Sequence, residues 1–253
     1  MSRLFDAYRA FHQQGFVPIF APDEFDPKML VKACVAAGAK GIEYTLRRLD
    51  ANSMIPWIRE NYPELYLLIG STVDDDRIVN HARKRYPQLL TFAELDAMDI
   101  DGFVSMLPFD KETIKTYSPR RLVVPSAYTL SEAYFQMRSG AHFAKMLGPG
   151  LELMKHCRKT PTYDFCPIMA TGGMTIQLIP EAVAAGAVVL GAGFDTMLAG
   201  QPADISVKKA TGIIADYIRV TNEARAKRWP EMMRAVDADR QTWLNSLPHY
   251  HPF

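Results

Sequence analysis

Short apolar runs recur along this chain, their ends spaced by roughly 20 to 33 residues, with amphipathic stretches between them. They begin at Phe16 (FVPIFA), Gly41 (GIEYT), Leu65 (LYLLIGST), Gly102 (GFVS), Arg121 (RLVVP), Ala141 (AHFAK), Asp164 (DFCPIMA) and Ala187 (AVVL). Runs this short and this apolar read as strands covered on both faces, as in parallel sheets flanked by helices. About eight strand–helix units in one chain predict an α/β fold, a (β/α)8 TIM barrel. A doubly wound open sheet is the competing arrangement, but no glycine-rich dinucleotide fingerprint follows the first run.

Helical spacing of Leu4, Phe5, Tyr8 and Phe11 predicts an N-terminal helix over 2–14, capped by Ser2 and ended by Gly15. Pro18 would be unusual in the middle of a sheet. Thr129 and Glu132 form a capping-box signature for a helix that closes at Gly140. Helices are also expected over 27–37, 51–60, 74–85, 151–158 and 176–185, whereas 86–101 shows no clear pattern. After 203 the strands stop, and two long helical patterns over 205–229 and 231–246 follow. The expected organisation is a barrel with its N-terminal helix over 1–202. A C-terminal helical extension over 203–253 would pack on the barrel or on a neighbouring subunit. His249 and His251 in the tail have no acidic or Cys partner nearby in sequence, so a packed or solvated terminus is expected there and no metal site.

The chain has 253 residues, 48% hydrophobic and 23% charged, with a formal net charge of +1. That balance offers no footprint for nucleic acid or an anionic membrane. No run reaches the length of a membrane span, and the N-terminus has no signal-peptide core. Cys34, Cys157 and Cys166 are widely spaced, as for reduced thiols. A soluble cytoplasmic protein is expected.

Reactive groups of such barrels lie at the C-terminal ends of the strands. Glu43, Arg47, Thr72, Lys145 and the turn Thr171-Gly172-Gly173 all fall there. Read as a strand, 141–144 carries Lys145 to its end, against apolar walls that disfavour the ammonium. An amine that is neutral part of the time attacks a ketone to form an imine, and a carboxylate on the same rim moves protons at the adjacent carbon. Arg47 can clamp a substrate carboxylate, and the Thr-Gly-Gly turn can bind an anion or a polar tail.

In these residues the sequence resembles the class I 2-keto-3-deoxy-6-phosphogluconate / 4-hydroxy-2-oxoglutarate aldolases. Glu43-Tyr44-Thr45-Leu46-Arg47 matches the family's Glu-x-Thr-Leu-Arg. Gly70-Ser71-Thr72-Val73 corresponds to Gly-x-Gly-Thr-Val with one glycine replaced or shifted. Val124-Pro125-Ser126 followed by Thr129-Leu130-Ser131-Glu132 corresponds to Ile-Pro-Gly and Thr-x-x-Glu, and Thr171-Gly172-Gly173 to the phosphate-side turn. The resemblance covers about 16–198.

It implies a Schiff-base lysine at Lys145, proton transfer by Glu43, and substrate binding by Arg47, Thr72, Pro125, Thr171, Gly172 and Gly173. The implied reaction is cleavage of a 2-keto acid to pyruvate and an aldehyde, with no metal or cofactor. A homotrimer is implied as well. Departures are Lys145-Met146-Leu147-Gly148-Pro149 for Lys-x-Phe-Pro-Ala, Ser105-Met106-Leu107-Pro108 for Ser-Pro, and Gly191-Ala192-Gly193 for Gly-Gly-Ser. The last removes a hydroxyl from the phosphate end. Two other readings use the same residues. One is a sugar-phosphate isomerase or epimerase with Glu43 as base and Lys145 as electrostatic partner. The other is a non-catalytic keto-acid-binding member.

Overall fold

The computed structural model describes residues 3–147, 150–157 and 166–253. The expected Ser2 cap, the Gly148-Pro149 departure, the end of the 151–158 helix and the start of the 164–170 strand lie outside them. Eight parallel strands are present: β1 (Phe16–Phe20), β2 (Gly41–Thr45), β3 (Tyr66–Gly70), β4 (Gly102–Val104), β5 (Leu122–Val124), β6 (Ala144–Leu147), β7 (Ile168–Thr171) and β8 (Ala187–Gly193). They run side by side as β5-β4-β3-β2-β1-β8-β7-β6. The two ends of that order meet. Lys145 N–H donates to Pro125 O at 2.8 Å, Ala127 N–H donates to Lys145 O at 2.8 Å, and Ser126 bridges Lys145 in parallel. The sheet closes into a TIM barrel.

Helices among the described residues are α1 (Arg3–Gln14), α2 (Pro27–Ala36), α3 (Ala51–Asn61), α4 (Asp76–Ala82), α5 (Phe92–Asp96), α6 (Lys111–Tyr117) and α7 (Leu130–Arg138). They continue with α8 (Gly150–Cys157), α9 (Ile179–Ala184), α10 (Phe194–Met197), α11 (Val207–Arg228), α12 (Pro230–Arg234) and α13 (Arg240–Ser246). Local chemistry sets their starts. Asp26 caps α2 with Pro27 at its first position, and Thr91–Glu94 and Thr129–Glu132 close reciprocal capping boxes on α5 and α7. No helix is long and apolar enough to cross a membrane among the described residues.

Side chains alternate between two cores, as the pleat requires. Ile42, Tyr44, Leu67, Ile69, Val123, Ala144, Met146, Ile168 and Ala170 face the helices. Leu68, Leu122, Val124 and Met169 face the barrel interior. The interior core continues into Phe5, Tyr8 and Phe11 of α1 and Trp243 of α13, which plug the bottom. Each such buried ring contributes roughly 2–3 kcal/mol.

Two expectations are corrected. The lysine strand starts later than predicted: β6 begins at Ala144, so Lys145 is its second residue. His142 explains the shift, because its Nδ1 accepts the Val123 N–H at 3.1 Å, where a ladder carbonyl would otherwise serve. The segment after 203 packs on the barrel, where α11 lies against α2 and α9. The pattern over 231–246 is broken, α12 stopping at Arg234 and Asp239 capping α13 anew. Pro18 does stand inside β1. The ladder to β2 runs from Ile19↔Glu43, and the Gly41 carbonyl that the missing N–H would have met accepts from Gln14 Nε2 at 2.9 Å.

The C-terminal tail packs against the plug. Phe253 meets Phe5 and Tyr8 edge-on or tilted, and His249 Nε2 lies 3.1 Å from His12 Nε2. Burial pushes His12 well below the ordinary histidine range, His249 down to about 4 and His142 down to about 3. All three fold neutral, so their stabilising contribution is complete above the unfolded value of about 6.5 and is lost as pH falls below it. Urea unfolding should therefore show stability falling from pH 6.5 towards the folded value of about 4 at His249. His249→Phe should flatten that decline by about 1.4 kcal/mol per pH unit. An unchanged slope would contradict neutral burial of the pair.

Candidate active site

Strand parity places the reactive pair. Glu43 stands between Ile42 and Tyr44, and Lys145 between Ala144 and Met146, all four of which belong to the outer core. Both polar side chains therefore point inward. β2 and β6 lie four strands apart in the eight-strand ring, so the two reach towards each other from opposite walls. Lys145 Nζ donates to Glu43 Oε1 at 3.2 Å, and both side chains are buried. Gly70 makes room for this contact, since a Cβ there would meet Glu43 Oε1 and would lie 3.0 Å from Thr45 Cγ2.

A cavity of about 320 Å³ opens above the pair. Of the residues singled out in the sequence, Glu43, Arg47, Lys145, Thr171, Gly172 and Gly173 line it. Its apolar wall beside the amine comes from Ile19, Met106 and Leu147. Glu43 Oε2 and Thr171 Oγ1 are buried with no hydrogen-bond partner among the described residues. Gly172 and Gly173 hold φ of 85° and 61°, left-handed values that glycine adopts freely, and this turn leaves their backbone uncovered at the rim.

Two of the predicted residues do not line the cavity. Thr72 is buried, and its Oγ1 donates to Val104 O at 2.9 Å, which ties the β3 end to β4. Pro125 follows the inward Val124 and is placed on the outward side by the same parity. Ser71 lines the cavity instead of Thr72, at φ 62°. The replaced glycine in Gly70-Ser71-Thr72-Val73 was the available sign, since a left-handed position is one that glycine favours. Asp195 and Thr196, just past β8, also line the cavity and were not singled out from sequence.

Adjacent arginines after β2 have opposite fates. Arg48 is buried and bonded: Nη1 reaches Asp23 Oδ1 at 3.0 Å, Nη2 reaches Asp50 Oδ2 at 2.9 Å, and Tyr44 Oη donates to Asp50 at 2.6 Å. Burial works to raise the Asp50 carboxyl, but the Arg48 and Tyr44 hydrogen bonds outweigh it and hold it below its ordinary value. Burial holds the Asp23 carboxyl above its ordinary value against the opposing pull of Arg48, and the charge of Asp195 adds to the rise. Arg47 is exposed on the cavity edge and forms no ion pair among the described residues. One guanidinium braces the loop and its neighbour stays exposed on the cavity edge.

No family model matches this chain, and no curated protein does. Solved structures do. A structure named "Native KDPGal structure" is 22% identical with a TM-score of 0.62, covering 83% of this chain and 95% of its own. The KDPG aldolase of Legionella pneumophila, solved with pyruvate captured as a covalent carbinolamine intermediate, is 15% identical with a TM-score of 0.61, covering 85% and 97%. A thiamine phosphate pyrophosphorylase from Pyrococcus furiosus is 18% identical with a TM-score of 0.56, covering 84% and 98%. At these identities the likeness is one of fold, and this chain has the TIM-barrel fold that aldolases of that kind share with other enzymes.

Proposed function

We propose that this protein is a class I aldolase that cleaves a 2-keto acid to pyruvate and an aldehyde through an imine on Lys145. The observation that carries the reading is the buried Lys145 Nζ–Glu43 Oε1 contact of 3.2 Å at the floor of the cavity. Proton transfer across it turns ammonium and carboxylate into amine and carboxylic acid with no change in the net charge of the pocket. The free amine adds to the C2 ketone, and the protonated Glu43 gives its proton to the carbinolamine hydroxyl, which leaves as water, so that an iminium and the Glu43 carboxylate remain. Glu43 then takes the proton of the C4 hydroxyl. The C3–C4 pair of electrons moves onto C3 and into the iminium, and the C4 fragment departs as the aldehyde. Returning that proton to C3 of the enamine and adding water across the imine releases pyruvate and restores Lys145. Arg47 is the group assigned to the substrate carboxylate, and Glu43 Oε2 and Thr171 Oγ1 supply unclaimed polar atoms for its hydroxyls.

Borohydride reduction in the presence of pyruvate should fix one three-carbon adduct on Lys145, located by peptide mass spectrometry. An intact protein that gains no mass at saturating pyruvate would overturn the reading; proton exchange without an adduct would favour the isomerase. Lys145→Met leaves Glu43 buried without its partner and is expected to cost about 3–5 kcal/mol of stability. The informative partner is therefore Glu43→Gln, which should lower kcat about a hundredfold or more while the adduct still forms on long incubation.

Gly70→Ala tests the geometry without removing either reactive group. A methyl there displaces the Glu43 carboxylate from the amine, so kcat should drop about a hundredfold, and Tm should fall as well because both charges stay buried. Full activity in that variant would mean that the observed contact is not the working one.

Self-association as a homotrimer belongs to the same reading. Met106, Leu107, Tyr128, Tyr134 and Phe135 are large apolar side chains left exposed on the β4–β5 side and on α7, and they give such an assembly a surface to cover. Sedimentation velocity should return a mass about three times that of the chain, and a monomer at every concentration would remove this part of the proposal.

A further inference from the structure

Aldol chemistry at Lys145 occupies one end of the cavity, and the other end, where β8 passes into α10, has a charge of its own. Building on the aldolase reading, we propose that Asp195 restricts the pocket to keto acids whose far end is an uncharged, hydroxylated tail and excludes those that end in phosphate.

Four ionisable side chains line the cavity among the described residues: Glu43, Arg47, Lys145 and Asp195. Glu43 and Lys145 neutralise each other across 3.2 Å. That leaves one cation and one anion, and neither is in an ion pair among the described residues. A keto acid brings one carboxylate, which Arg47 answers. A terminal phosphate would bring a further charge of about −1.5 to −2 into a mouth with no second free cation among the described residues and with a carboxylate on its wall.

The placement of Asp195 sharpens the point. A Cβ on Gly193 would meet Asp195 Oδ1, so the carboxylate stands over the end of β8 in the space that a side chain at 193 would take. An acceptor oxygen thus fills the position from which a residue-193 hydroxyl would have donated to an anion. The glycine and the carboxylate are one feature, since any larger residue at 193 displaces Asp195. Around it the rim offers the uncovered backbone of Gly172 and Gly173 and the hydroxyl of Thr196, and Thr171 Oγ1 lies buried without a partner. Hydroxyl groups both donate and accept, so a polyol tail satisfies a carboxylate and these groups at once. A phosphate dianion only accepts.

Calorimetry on the full chain tests this independently of turnover, using gluconate and 6-phosphogluconate as unreactive sugar acids. Gluconate should bind about tenfold or more tightly than 6-phosphogluconate to the unaltered protein, and Asp195→Asn should shrink or invert that ratio by a similar factor. Equal or tighter binding of 6-phosphogluconate by the unaltered protein, the same ratio in Asp195→Asn, or no heat from either ligand at about 10 mM would each overturn the proposal. In turnover, the same substitution should raise kcat/KM for a phosphorylated keto-deoxy sugar acid about tenfold, mainly through KM. Failure of the pyruvate adduct at Lys145 would sink the aldolase reading alone, because the calorimetric ratio reports the far rim and requires no imine.

Discussion

The backbone of Lys145 closes the barrel, and the rest of the site follows from that closure. Its N–H and C=O are both engaged at the seam, to Pro125 and from Ala127 at 2.8 Å each, so the residue has a fixed register between β5 and β6. With the backbone fixed, the pleat leaves one direction for the side chain, inward, since Ala144 and Met146 on either side are packed into the outer core. Glu43 is held by the same logic on the opposite wall. A one-residue slip of either strand would bring both neighbours inward and push the charged group under the helices. The seam and the outer core therefore specify the reactive pair before the pair contributes any energy of its own.

On energetic grounds alone the pair is a poor use of a barrel interior. Removing two charges from water costs several kcal/mol each, and their mutual attraction offsets this only when the remaining polar atoms are also satisfied. Here Glu43 Oε2 is buried and unmatched, and so is Thr171 Oγ1 on the neighbouring part of the wall. Apolar residues of similar volume would close this space at lower cost. Keeping a lysine, a carboxylate with one unpartnered oxygen and an unpartnered hydroxyl around a cavity, as counted among the described residues, is the feature on which the proposed reading rests.

Most of the barrel could be read from the period of its apolar runs, because strands covered on both faces leave an unbroken apolar signature of limited length. Glu43 and Lys145 stood out as charges inside such runs. The failures have local causes. α5 is only one turn longer than its cap, too short for a helical period, although Thr91 and Glu94 announce it chemically. The register of β6 was misread because a histidine side chain takes the place of a carbonyl at Val123. Nothing in the run over 205–229 says that it fills the gap between α9 and α2, which only the closed ring defines. Pro125 was within reach of parity: it follows the inward-facing Val124. Asp195 was not, since a single exposed acid after a glycine-rich strand end carries no periodic or spacing signal.

The loop after β2 shows how a rigid scaffold can present an adaptable group. Arg48 loses its freedom in the folded protein, held by Asp23 and Asp50 with Tyr44 alongside. That cost is met during folding, and it fixes the backbone of the next residue outward along the cavity edge. Arg47 is exposed and not so held, and on the proposed reading ordering it against a substrate carboxylate opposes binding by up to about 2 kcal/mol. A charge-assisted, two-pronged hydrogen bond offsets that cost only for a planar carboxylate in the right orientation. On the proposed aldolase reading, substrate acids are selected for the geometry of the head group at Arg47 and for the charge of the tail at Asp195. On that reading the floor between them, fixed by the barrel seam, recognises the ketone.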